Sequence, residues 1–109
     1  MSYRVDIIEH FEREAKKLKK KFPSLKQEIT NLVDELEDDP KKGTLIGKGF
    51  YKIRLAIRSK EKGKRGGVRV ITYFKIVYKT VYLVSIYDKS EKSDIGGDEL
   101  DAIFGDIPE

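Results

Sequence analysis

The sequence predicts an α+β fold. It is read as an N-terminal strand and an antiparallel helical hairpin packed on a mainly antiparallel sheet of three to four strands, with a short C-terminal helix. Three observations carry that expectation. Apolar residues recur at helical spacing from Phe11 to Leu36. From Tyr51 to Tyr87 they alternate with polar ones, as strand side chains do. Proline and glycine separate these blocks, at Pro23, at Pro40 and in the glycine-bearing stretches 43–49 and 63–67. At 109 residues the chain is read as a single domain, 1–109, large enough for a modest core without covalent staples.

Each element has its own signal. Residues 3–8, with Val5, Ile7 and Ile8, suit a strand or the lead into a helix. Phe11, Ala15, Leu18 and Phe22 then mark one helix face, and Lys16, Lys17, Lys19, Lys20 and Lys21 form its outer side. Those lysines suit phosphate, and equally suit a solvated helix face near the negative end of the dipole. Ser24 followed by Gln27 fits a capping box, so a second helix is expected to begin there. Leu25, Ile29, Leu32, Val33 and Leu36 give it an apolar stripe, and the acidic run 35–39 with Pro40 ends it. Only two or three residues join the helices, which predicts antiparallel packing. Residues 41–49 read as a loop. A strand is expected at 50–58, with Tyr51, Ile53, Leu55 and Ile57 toward the helices and Lys52, Arg54 and Arg58 on the other face. Further strands are expected at 68–75 and 81–87, joined by a turn of unassigned type within 76–80. Leu100, Ile103 and Phe104 suggest a short helix before Gly105.

Charge singles out one stretch. Residues 48–69 hold nine Lys or Arg and one acid, Glu61, although the whole chain carries only +4. Such a cluster is an electrostatic footprint for a polyanion, most commonly nucleic acid. The tail from Asp88 onward is the opposite, with eight acids and two lysines. The acidic sets 34–39 and 98–101 fall on helix ends and in that tail, a setting that favours solubility over a hard-metal site. The absence of Cys excludes a disulfide framework, thiolate catalysis and Cys-ligated zinc, and a lone histidine, His10, excludes a His-pair metal site within one chain. No metal and no small-molecule cofactor is expected. The N-terminus has no apolar targeting core, and no run approaches the length of a membrane span. A soluble cytoplasmic protein is expected.

Four segments carry a family resemblance: YRVDIIEHFEREAKKL at the start, then GFYKIRLAI, KGKRGGVRVITYF and YLVSIYDKSEKSDI. Together they resemble the RelE/ParE superfamily of toxins from toxin–antitoxin pairs, closest to the HigB-like and RelE-like branch. The resemblance implies a RelE/ParE-like fold and a metal-independent, ribosome-dependent mRNA endoribonuclease that inhibits translation. The implied partners are a cognate antitoxin, the ribosome and mRNA. The alternatives are a ParE-like toxin that poisons DNA gyrase without cutting nucleic acid, and a decayed nucleic-acid-binding module.

The chemistry agrees with the implied activity. RNA is cut when its own 2′-OH attacks the adjacent phosphate. A protein assists by moving protons and by stabilising the phosphorane with preorganised Arg and Lys. By resemblance, Lys52, Arg54 and Arg69 stand where RelE-type toxins keep basic residues that catalyse or bind phosphate, and Lys89 aligns with a basic residue at the cleavage site. Tyr73 and Tyr87 complete the candidate catalytic set, with Ser85 beside them if odd-numbered positions of the last strand share that face. Some RelE toxins place a catalytic Tyr where this chain has Ile95 and Gly96, so proton transfer is expected to fall to Tyr73, Tyr87 or a lysine. Arg58, Lys60, Lys62, Lys64, Arg65 and Lys92 are the expected RNA-binding residues. Arg69 is read as lying on a solvated strand face, where its removal spares the fold. The bland alternatives are ordinary solvated strand residues for Lys52 and Arg54, and half-buried sheet aromatics for Tyr73 and Tyr87.

Overall fold

The computed structural model describes residues 3–59 and 67–108. Its elements run β1 (Arg4–Ile7), α1 (Glu9–Lys21), α2 (Leu25–Asp38), β2 (Thr44–Gly47), β3 (Phe50–Leu55), β4 (Val68–Lys75), β5 (Thr80–Asp88) and α3 (Gly97–Phe104). The five strands form one sheet in the order β1-β5-β4-β3-β2. All neighbours are antiparallel except β1, which runs parallel to β5. The α+β class, the N-terminal strand and the short C-terminal helix are as expected. The extra strand, β2, comes from the stretch read as a loop. It pairs with β3 on a sheet edge, where only one partner is needed and Leu45 stays exposed.

The helical stripes find their partner on one face of the sheet. Phe11, Ala15 and Leu18 of α1 are buried, as are Leu25, Ile29, Leu32 and Leu36 of α2. Cross-strand rows such as Ile53–Val70–Ile86 supply the other half of the core. Neither helix is long enough to persist alone in water, so this burial is what holds them. Three residues join α1 to α2, as the hairpin reading requires.

Ser24 does not act as the expected cap. Its backbone is helical already, and its hydroxyl donates to Glu28 Oε1 at 2.9 Å. It also accepts the Ser59 N–H at 3.0 Å. Glu28 in turn accepts the Arg58 N–H at 2.6 Å. The start of α2 is therefore tied to the chain leaving β3, and a tertiary bond has displaced the local one.

β5 lies between β1 and β4, and every one of its residues is buried. It contains a bulge: Ile71 pairs with Ser85 but Thr72 pairs with Leu83, leaving Val84 extra. The turn before it is a 3-10 turn at Ile76–Tyr78, ended by Lys79 in the left-handed region at φ 48°. Gly67, which leads into β4, passes so close to the Leu55 carbonyl that a Cβ would collide with it.

The opposite face is covered in part by the chain after β5. Phe104 of α3 stacks edge-on against Phe50 and Tyr73, and Ile95, Ile103 and Ile107 are buried there. No helix among the described residues is long and apolar enough to cross a membrane.

Candidate nucleic-acid interface

Strand register builds the site. Arg54 of β3 stands opposite Arg69 of β4, and Arg69 stands opposite Tyr87 of β5. Paired residues share a face, so these three form one cross-strand row. Two positions along β3, Lys52 joins the same face. Like charges directly opposite each other repel, so the Arg54–Arg69 pair costs stability in the free protein. An anion placed against the pair relieves that cost.

Arg69 is 3% exposed, not solvated as expected. β4 is an interior strand, and the chain after β5 folds back over this face. The Arg69 guanidinium donates to the Val68 carbonyl at 3.4 Å. Burial, and then neighbouring Arg54, pull its pKa below the ordinary value, with Tyr87 opposing. It stays charged, as arginine does in proteins.

Tyr87 is also buried. Its phenol is pushed up to about 12, first by burial and then by the charge of Asp94. The hydroxyl donates to Asp94 Oδ1 at 3.4 Å. Lys52 Nζ reaches the same oxygen at 3.4 Å, and the Ile95 N–H reaches it at 2.9 Å. The Ile95 N–H does most to hold the Asp94 carboxyl below the usual carboxylate range; burial opposes it, and Lys52 helps. Lys92 lies over the Tyr87 ring, 5.3 Å from its centroid, and pairs with Glu99. Lys48 Nζ sits 3.5 Å from Asp101 of α3. The acidic tail is thus more than a solubilising appendage: three of its carboxylates pair with cations on or beside the basic face.

The structure brings Lys52, Arg54, Arg69, Tyr87 and Lys92 together. It leaves others apart. Tyr73 is half-buried in an aromatic stack with Phe50 and Phe104. Ser85 Oγ donates to Glu14 of α1 at 2.7 Å, turned toward the helices beside the bulge. Arg58 sits near α2, its Nε 3.9 Å from Glu28. Lys89 is exposed just past β5. Lys60, Lys62, Lys64 and Arg65 lie outside the described residues. Among the described residues no cluster of His, Asp and Glu is arranged to hold a metal ion.

Asp94 is the residue that sequence reasoning missed. It lay within the quoted YLVSIYDKSEKSDI segment, but was read only as one acid of an acidic tail. Nothing local shows that the chain folds back far enough to set this carboxylate against Lys52, some forty positions earlier.

At the far end of α1, Lys21 Nζ lies 3.0 Å from Asp88 and 3.0 Å from Glu91. Its hydrogen bonds, to Glu91 first and then to Asp88, raise its pKa. This cluster anchors the start of the tail to the helical hairpin.

Solved structures with the same fold include a double mutant of the E. coli toxin RelE in the free state. It matches with a TM-score of 0.60 and 18% identity, over 97% of this chain and 94% of that one. The intact E. coli RelBE toxin–antitoxin complex matches with a TM-score of 0.61 and 22% identity, over 80% of this chain and 96% of that one. The isolated E. coli RelE toxin matches with a TM-score of 0.57 and 17% identity, over 97% of this chain and 100% of that one. At such identities the likeness speaks to the fold. The family model for the RelE toxin of the RelE/RelB toxin–antitoxin system matches residues 3–104. The chain therefore belongs to the RelE toxin family.

Proposed function

We propose that this toxin is a ribosome-dependent mRNA endoribonuclease, held inactive by a cognate antitoxin, which acts by promoting attack of the RNA 2′-OH on the adjacent phosphate. The observation that carries the reading is the Arg54–Arg69–Tyr87 row with Lys52 on the same face. Two arginines held in register concentrate positive charge on one strip of the face, and a planar guanidinium donates two parallel hydrogen bonds to a phosphate. Burial of Arg69 strengthens its field at the phosphorane, because water screens it less. The antitoxin partner is supported by the family and by the RelBE complex among the structural neighbours.

Single-turnover cleavage of mRNA on programmed ribosomes tests this. Arg69→Ala is expected to raise the barrier by about 2.7–4 kcal/mol, or ~10²–10³ in rate, as for loss of one oxyanion donor. Arg69→Lys, which keeps charge and much of the buried volume, is expected to recover only part of the rate. Circular dichroism of both variants separates loss of chemistry from loss of fold. Cleavage at the wild-type rate by folded Arg69→Ala would remove the row from the mechanism. Intact mRNA with inhibited DNA gyrase would replace the nuclease reading with gyrase poisoning.

A further inference from the structure

Attack by a 2′-OH needs a group that can take its proton. Arginine does not serve, because it holds its protons throughout the physiological range. Tyr87 does not begin as the acceptor either, since a phenol near 12 is protonated at neutral pH. Tyr73 is occupied in the aromatic stack. The acids of the tail are differently placed. Asp88 is buried and accepts the Ser90 N–H and hydroxyl as well as Lys21. Glu91 pairs with Lys21, Glu99 with Lys92, and Asp101 lies beside Lys48 on α3. Asp94 alone among these carboxylates lies within hydrogen-bonding reach of Tyr87. Its side chain is 62% exposed, so RNA can approach it.

We propose that Asp94 accepts the proton of the attacking 2′-OH and that Tyr87 donates the proton to the departing 5′-oxygen; this rests on the nuclease reading and names the acid and base within it. The bookkeeping closes. The 2′-OH proton passes to the Asp94 carboxylate as the O2′–P bond forms. The P–O5′ bond breaks, and O5′ leaves with the Tyr87 phenolic proton. The products are a 2′,3′-cyclic phosphate and a 5′-OH. Asp94 is then protonated and Tyr87 is a phenolate, in direct contact. A proton moving along their hydrogen bond restores both groups without help from solvent. Lys52, bonded to the same carboxylate oxygen, is placed to stabilise the phosphorane beside it.

One rival reading has the opposite sign. A carboxylate held between Lys52 and Tyr87 also stands where a phosphate oxygen would bind, and a mere place-holder slows RNA entry. Asp94→Asn separates the two. It is isosteric and keeps an oxygen to accept the Ile95 N–H, so the fold is retained. As a lost general base, Asp94→Asn is expected to cut single-turnover cleavage on programmed ribosomes by about 10²–10⁴-fold. RNA binding is expected to be unchanged or tighter, because a negative charge has gone. Wild-type cleavage is expected to be flat from about pH 6 to about pH 8, since the carboxylate is ionised throughout, whereas the variant's residual rate climbs with pH. Asp94→Glu is expected to recover part of the loss. Asp94→Asn cleaving as fast as wild type, or faster, would establish the place-holder and overturn the inference. A slow variant that keeps the flat wild-type profile would also overturn it, showing a structural role. If wild-type protein itself leaves mRNA intact, the nuclease reading falls and this inference falls with it. Wild-type cleavage with an unaffected Asp94→Asn removes the Asp94 assignment alone.

Discussion

The two faces of the sheet are made by the same strands and obey different rules. Toward the helices the rows are Ile53–Val70–Ile86 and their neighbours, mostly apolar and covered by α1 and α2, with Thr72 and Asp88 buried among them. On the other face the rows alternate between an aromatic patch, Phe50–Tyr73, and a strip where Arg54 opposes Arg69. The first face chiefly removes apolar area from water and sets no like charges opposite each other. The second holds like charges together and sets tail carboxylates against the neighbouring lysines Lys48, Lys52 and Lys92. A single alternating pattern can thus write a core on one side of a strand and a site on the other.

Substitutions can sharpen that contrast or break it. Leu25→Ala, in a side chain with no exposure, removes apolar contacts on the helix side and is expected to cost about 2–5 kcal/mol in denaturant unfolding. Cleavage per folded molecule is expected to stay the same. A matching loss of specific activity would mean that the two faces are mechanically coupled.

Alkaline pH is expected to act through the other face. The Tyr87 phenol is raised to about 12 in the folded protein, against about 10 in the unfolded chain. Stability linked to it is complete below about pH 10 and is lost as pH rises toward 12, by up to about 2.7 kcal/mol. Urea unfolding followed over that window is expected to show this fall, and Tyr87→Phe is expected to flatten it. An identical slope in the variant would move the effect to another group.

Phe104→Ala removes two edge-on ring contacts, with Phe50 and Tyr73, and is expected to cost about 1–3 kcal/mol, the aromatic pairs counting for 0.5–1.5 each. The check is a lower unfolding midpoint together with faster amide exchange in α3 than in α1. Uniform exchange across both would mean that α3 and the hairpin open as one unit.

The smallest effect is the most telling in sign. Arg54→Ala relieves the charge pair with Arg69 and is expected to raise stability by about 0.2–1 kcal/mol while slowing cleavage. A variant that lost both stability and activity would show that Arg54 supports the fold, and the contrast between faces would fail at this row.

Much of the fold could be read in the sequence because it follows periodicity. The 3.6-residue stripe from Phe11 to Leu36 and the alternation around Tyr51–Leu55 are strong local signals, and β4 falls at the expected residues 68–75. β2 was missed because a four-residue edge strand with two lysines before it has no such signal. Its evidence is its pairing with β3, which no local window contains. The cationic half of the site was readable for the same reason that β3 and β4 were: parity places Lys52, Arg54 and Arg69 together once the hairpin register is right. The burial of Arg69, the removal of Ser85 toward Glu14 and the arrival of Asp94 were not readable. Each depends on a bulge or on a chain reversal after β5, and so on contacts between residues far apart in sequence.

The position of β5 has a consequence for how the protein comes into being. The wholly buried strand β5 is the last of the sheet in chain order, and among the described residues β1 pairs only with it. A chain still being synthesised carries the helical hairpin early, but its first strand, ending at Ile7, waits for a partner that begins only at Thr80. Contacts of such high sequence separation form late, after the loop entropy between them has been overcome. Until β5 clears the exit tunnel, Tyr87 and the tail are missing from the face that holds Arg54 and Arg69. The Arg54–Arg69–Tyr87 row is therefore completed only when β5 docks.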